Sequence, residues 1–115
     1  MLKDSTLQRL LAFREARDWK QFHTFRTLAV SISLEAAELL EFVQWVPDAA
    51  LGEVVSREKA QICDEMADIA IYLHYLAHDL GVDLDECVRK KLQLNEEKYP
   101  VTQSKGNAAK YDRLR

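Results

Sequence analysis

Glycine, proline and cysteine are all scarce in this chain: three, two and two among 115 residues. With so few breakers, the intervals between them carry helical rather than alternating periodicity, and an all-α fold is expected. Cys63 and Cys87 stand in no CxxC or Cys/His spacing, so neither a disulfide framework nor a thiolate zinc site is indicated, and a reducing cytoplasm fits. No segment approaches the ~20 apolar residues of a membrane span, and MLKDSTLQRLL at the N-terminus lacks a signal-peptide hydrophobic run. A cytoplasmic protein with no membrane partner is expected. Charge of one sign is also missing, because 16 basic and 19 acidic residues leave a net charge of -3. That balance gives no general attraction to nucleic acid, so an anionic ligand has to be bound locally. The basic tail VTQSKGNAAKYDRLR is short and carries no recognised nucleic-acid motif, so no nucleic acid polymer is expected as partner.

What is present is apolar content of 48%, enough for one core, and residues 1–115 are read as a single domain with about 101–115 as a polar tail. A first helix is expected over Thr6 to Ala16, with Ser5 as cap, Gln8 reaching back, and Leu7, Leu10 and Leu11 as its buried stripe. The second runs from Phe25 to Trp45 and stops before Pro47 and an irregular DAALGEVV. The third starts behind Ser56 and ends at Gly81. The fourth opens on Asp83, with Glu86 three residues on, and reaches Lys98 before Pro100. Four such helices make a four-helix-bundle-like protomer.

LEAAELLE in the second helix and DEMAD in the third put carboxylate pairs inside apolar stretches. At 100° per residue, Leu28, Leu39 and Phe42 lie within about 40° of Glu35, and Glu38 falls at the edge of that arc. On the third helix Ile69, Tyr72 and Leu76 lie within about 40° of Glu65, with Asp68 one step round. Facing helices of this kind gather Glu35, Glu38, Glu65 and Asp68 into one partly buried cluster. Repulsion and desolvation there would raise carboxyl pKa values unless a cation neutralised them. Oxygen ligands without sulfur or histidine favour Mg²⁺, with Mn²⁺ as substitute, and Mg²⁺ commonly shares substrate phosphates. A single Glu pair on a helix is ordinarily just solvated, but two pairs centred in apolar arcs favour a site. Glu41 is peripheral by angle. A ferritin-like di-iron bundle needs Glu-x-x-His motifs, which the chain lacks. His74 and His78 project away from the acids and suit a surface or a subunit contact.

REARDWKQFHTFRTLA, SLEAAELLEFVQW, EMADIAIYL, VDLDECVRKKLQLNEEKYP and SKGNAAKY, in that order and spacing, resemble the dCTP pyrophosphatase branch of the MazG-like all-α nucleoside triphosphate pyrophosphohydrolases. The resemblance implies hydrolysis of a nucleoside triphosphate to the monophosphate and pyrophosphate, with Mg²⁺ held by the catalytic acids Glu35, Glu38, Glu65 and Asp68. One carboxylate would accept the proton of the attacking water, and Glu38 is favoured for its exposure. Trp19 and Trp45 match aromatic positions lining the family's nucleotide pocket, with core packing as their plainer role. Asn95 matches an asparagine near base or sugar, and Lys91, Lys98 and Lys110 match phosphate ligands. Tyr72 is a candidate sugar contact or packing residue, and His23 a candidate substrate contact or helix cap. The chain departs from the family in having Ala36 and Ala37 where glycine is frequent, and Leu10 where some members carry histidine.

The resemblance further implies a dimer or dimer-of-dimers tetramer, the tetramer ahead of the dimer. Val30, Leu34, Leu40 and Ile71 lie off the main apolar arcs and are compatible with a homo-oligomer. The leading expectation is nucleotide-pool house-cleaning with a dCTP-like preference. Its rivals are a related all-α hydrolase acting on dUTP or a phosphoribosyl nucleotide, and a non-enzymatic helical oligomer that binds a cation.

Overall fold

Every regular element in the computed structural model, which describes residues 2–114, is helical. The chain is all-α over the described residues, as its helical periodicity indicates. It divides into two compact units, residues 2–81 and residues 82–114.

The first unit contains α1 (Asp4–Ala16), a 3-10 turn at Lys20–Phe22, α2 (Phe25–Glu41), a second 3-10 turn at Asp48–Ala50, α3 (Leu51–Arg57) and α4 (Lys59–Asp79). Helix α1 begins earlier than expected. Lys3 occupies the cap position without a side-chain hydrogen bond, and Ser5 lies inside the first turn. Asp4 in that turn places negative charge at the helix's positive end, which favours extension to it. Thr24 and Thr27 open α2 with a reciprocal capping box: Thr24 Oγ1 accepts from the Thr27 amide at 3.2 Å and Thr27 Oγ1 accepts from the Thr24 amide at 2.9 Å.

Helix α2 ends at Glu41 and not at Trp45, and Phe42–Trp45 form turns. The approach to Pro47 disfavours helical backbone just before it, and tight bonds from Val43 to Leu40 and from Val46 to Val43 take over. The stretch expected to be irregular instead forms α3, whose Leu51 and Val54 are half-buried. Ser56 sits within α3 and caps nothing. Gly52 alone is too weak a breaker to stop one short helix.

Within this unit α2 and α4 form the most extensive packing pair, and α1 and α3 also pack on α4. Full burial is confined to Leu28, Tyr75, Ala77 and the charged Arg14. The expected stripe of Leu7, Leu10 and Leu11 is only half-buried, so Arg14 is the most deeply seated residue of α1.

The second unit holds α5 (Leu84–Lys98), α6 (Val101–Ser104) and a 3-10 turn at Tyr111–Arg113. Asp83 caps α5 as the sequence indicates, its Oδ1 accepting from the Glu86 amide at 3.2 Å. The tail expected to be weakly structured carries these last two short elements. No described helix is long and apolar enough to cross a membrane.

Candidate functional site

Packing of α2 on α4 brings Glu35, Glu38 and Glu65 together, with one carboxylate oxygen from each lying within 4.8 Å of the others. Glu35 and Glu65 are half-buried and Glu38 is exposed. Oε2 of Glu35 and Oε2 of Glu65 are buried and have no hydrogen-bond donor. As carboxylates they can bond each other only by taking up a proton. A hydrogen bond with Glu35 is accordingly the first cause raising the Glu65 pKa, followed by burial and the charges of Glu35 and Asp68. Glu38 is likewise raised, first by a hydrogen bond and then by repulsion from Glu65. Glu38, Glu41, Phe42 and Glu65 border an open depression of about 290 Å³ beside the cluster.

These features fit a hard divalent cation. Two buried oxygens lack donors, three acids converge, and neither sulfur nor imidazole joins them among the described residues. Asp68 stands outside the three-acid group. It lines an adjoining cavity of about 450 Å³ with Thr6, Arg9, Leu10, Phe13, Trp19, His23, Ile71, Tyr72 and Tyr75. Tyr72 feels both surfaces: burial raises its pKa first, and the charges of Glu35, Asp68 and Glu38 raise it further.

The cavity's aromatic wall is built by the end of α1. Asp18 takes the left-handed conformation at φ 53, which a short polar side chain tolerates better than most. The Trp19 amide then donates to the Arg14 carbonyl at 3.1 Å and the Asp18 amide to the Glu15 carbonyl at 3.0 Å. This is a Schellman ending, and its usual apolar contact is the edge-to-face pair of Trp19 with Phe13, 5.6 Å between centroids. The turn carries Trp19 and His23 to the same cavity. His23 does not cap α2, since Thr24 does. Its ring stacks obliquely on Tyr75 at 5.4 Å and meets Tyr72 edge-on at 6.4 Å.

Trp45 is elsewhere: it is 87% exposed and borders none of these cavities. In the second unit Lys91 and half-buried Asn95 border a shallow apolar groove with Cys87, Val88 and Leu92. Lys98 lies over the Tyr111 ring at 4.8 Å, and Lys110 is exposed. His74 is half-buried, with Nδ1 2.6 Å from the Ala70 carbonyl on its own helix and Nε2 buried without a partner, while His78 is exposed. Thr6 and Arg9 were not indicated by the sequence reading. The signal was the spacing of Thr6, Arg9, Leu10 and Phe13, which share one helical face once polar residues are admitted to it.

Comparison with known proteins agrees with this architecture. A family model described as the MazG-like family matches residues 30–114. Over 104 residues the chain is 42% identical to bovine (Bos taurus) dCTP pyrophosphatase 1 and 37% identical to the human (Homo sapiens) protein of that name. These stretches cover 89% of this chain but 62% and 61% of those proteins, so the chain spans about three-fifths of the length of the curated relatives it matches. A crystal structure of a pyrophosphatase from Archaeoglobus fulgidus superposes with a TM-score of 0.82 at 42% identity, covering 84% of this chain and 91% of that one. With most of its length matched by the family model and close relatives at this level of identity, the chain belongs to the MazG-like family.

Proposed function

We propose that the chain hydrolyses a (deoxy)nucleoside triphosphate to the monophosphate and pyrophosphate in a Mg²⁺-dependent reaction, with a dCTP-like preference. The observation carrying this is the convergence of Glu35, Glu38 and Glu65 beside an aromatic cavity of about 450 Å³. Those three acids, with Asp68 next to them, would hold the cation. Bound there, a divalent ion supplies positive charge to phosphate oxygens and eases attack by water. The chain's own groups do the rest. Glu38, exposed beside the open depression, accepts the proton of water attacking the α-phosphorus. Trp19, Phe13 and Tyr72 offer faces for the nucleobase and sugar, since stacking tolerates a flat ring where hydrogen bonding alone would be weak.

The proposal includes a homo-oligomer, a tetramer ahead of a dimer. Phe25, Leu34, Leu40, Trp45 and Met66 are exposed in the single chain, and covering them needs further surface. In that assembly Trp45, Lys91, Asn95, Lys98 and Lys110 are substrate contacts by family position, and the chain acts as one cytoplasmic domain.

The test is incubation with a panel of triphosphates and Mg²⁺, reading pyrophosphate and monophosphate. Dominant release of orthophosphate would refute cleavage at the α-phosphorus, and a dUTP or phosphoribosyl-nucleotide optimum would move the chain to the related hydrolases. Glu65→Gln should lower turnover by about 10²-fold or more with helical content intact. A cation-binding scaffold would have no turnover to lose.

A further inference from the structure

Arg14 is the one charged residue buried in the first unit, at 3% exposure, and the hydrolase reading assigns it nothing. Its guanidinium grips Asp79 with two bonds, Nη2 to Oδ1 at 2.7 Å and Nη1 to Oδ2 at 2.9 Å. It also lies over the Tyr75 ring at 4.6 Å from the centroid. Tyr75 in turn donates its hydroxyl to the Leu10 carbonyl at 2.8 Å, tying α4 back to α1. Arg14 is thus fixed on two sides, by Asp79 and by Tyr75.

Nη1 of Arg14 also stands 3.5 Å from Nδ1 of His23. A guanidinium has donors only and does not deprotonate in proteins. The contact is long for a hydrogen bond, yet a fixed positive charge facing Nδ1 disfavours a proton on that atom. The ring's one proton then belongs on Nε2. That nitrogen has no protein partner among the described residues and is not sealed off, while the ring borders the cavity. The groups facing His23 are Arg14 from α1 and Asp79, Tyr72 and Tyr75 from α4.

We propose that the Arg14–Asp79 pair is a positioning device that locks His23 in the Nε2–H tautomer, making it a donor-only contact for a carbonyl or ring-nitrogen acceptor of the substrate's base. This rests on the nucleotide reading of the same cavity. Cytosine presents two adjacent acceptors, O2 and N3, whereas an exocyclic amine turned to the same point would meet a second donor. Burial and the Arg14 charge, opposed by Asp79, also lower the His23 pKa, so the ring stays neutral where both nitrogens would otherwise be donors.

The experiment is nitrogen NMR of histidine-labelled full chain near pH 7, with the His23 signals identified by their loss in His23→Gln. Wild type should show a bare Nδ1 and a protonated Nε2, and Arg14→Met should show mixed tautomers. In kinetics, His23→Leu should raise KM about tenfold with kcat nearly unchanged, the loss of one hydrogen bond. His23→Gln, whose amide can present an N–H near the Nε2 position, should recover most of that. If Arg14→Met does not fold, Arg14→Met/Asp79→Leu removes both charges and serves instead. A protonated Nδ1 in wild type overturns the proposal, as does an unchanged KM in His23→Leu. Wild type that cleaves no triphosphate would sink the hydrolase reading and the assigned ligand, and the NMR result would still decide the tautomer separately.

Discussion

Replacing Asp79 with asparagine should be the most damaging single polar change in the first unit. It leaves the Arg14 side chain, 4% exposed, with a charge it cannot shed and without its carboxylate. Breaking a buried pair from one side costs about 3–5 kcal/mol, and the near-complete burial of Arg14 places Asp79→Asn at about 4 kcal/mol. Against a domain stability of about 5–15 kcal/mol this is a large fraction. For a chain of this size it corresponds to a fall of roughly 15 °C in the thermal midpoint. The mirror change, Arg14→Met, should cost less, about 3 kcal/mol, because Asp79 keeps 16% side-chain exposure and can take up a proton.

The two variants also separate by pH. Hydrogen bonding from Arg14 is the first cause holding the Asp79 pKa below its ordinary 3.8. A depressed carboxylate contributes stability that is present above the unfolded pKa and lost as pH falls through the folded one. Wild type should therefore lose this contribution only in strong acid, below 3.8. In Arg14→Met, burial is the largest influence left on Asp79, opposed by the smaller charges of Lys20 and His78, so the acid limb of wild type weakens and the variant's deficit narrows as acid protonates Asp79. Asp79→Asn has no such limb. Circular-dichroism melts of wild type, both singles and Arg14→Met/Asp79→Leu across pH would read all of this. The double variant should recover to within about 1 kcal/mol of wild type, because well-packed apolar groups replace a buried pair at little cost. An Asp79→Asn loss under about 1 kcal/mol, or a double variant no better than the singles, would refute the account.

The acid cluster gives a pH dependence of opposite sense. Glu38 and Glu65 are raised above 4.5, so the stability they contribute in metal-free protein is full below that value and is lost as pH rises through their folded pKa values. Calorimetry should show Mg²⁺ raising the midpoint at pH 8 in a concentration-dependent way and hardly at all at pH 4, and equal effects at both would count against the cluster as the binding site. Trp19→Ala should raise KM about tenfold with kcat little altered, as steady-state assays would reveal. Thr24→Ala removes the reciprocal cap of α2 and should cost about 1 kcal/mol in urea titrations.

How much of this was legible beforehand depended on how far apart the interacting residues are. Glu35 and Glu65 announced themselves because each contradicts its own helix, a carboxylate in the middle of an apolar arc, and such a conflict needs no knowledge of the fold. The cap at Asp83 was equally local. Arg14 gave no such signal, since its partner lies 65 residues away and nothing in the first helix distinguishes a buried arginine from a solvated one. The helix end at Asp18 was hidden for a different reason: aspartate in a left-handed conformation has no unambiguous sequence mark, as glycine does at Gly81.

Trp19 and Trp45 are placed very differently in the single chain. Helix α2 stops four residues short of Trp45, which is 87% exposed in the single chain and borders no cavity with Trp19. Trp19 stays in place because the Schellman turn holds its amide to Arg14 and its ring to Phe13. Glu65 and Asp68 stand three residues and about 60° apart on one helix: Glu65 meets the acids of α2, and Asp68, next to them, also lines the aromatic cavity. That division lets one helix serve both needs of the proposed chemistry. Its carboxylates border the acids of α2 on one side and the aromatic cavity on the next, with Tyr72 between the two.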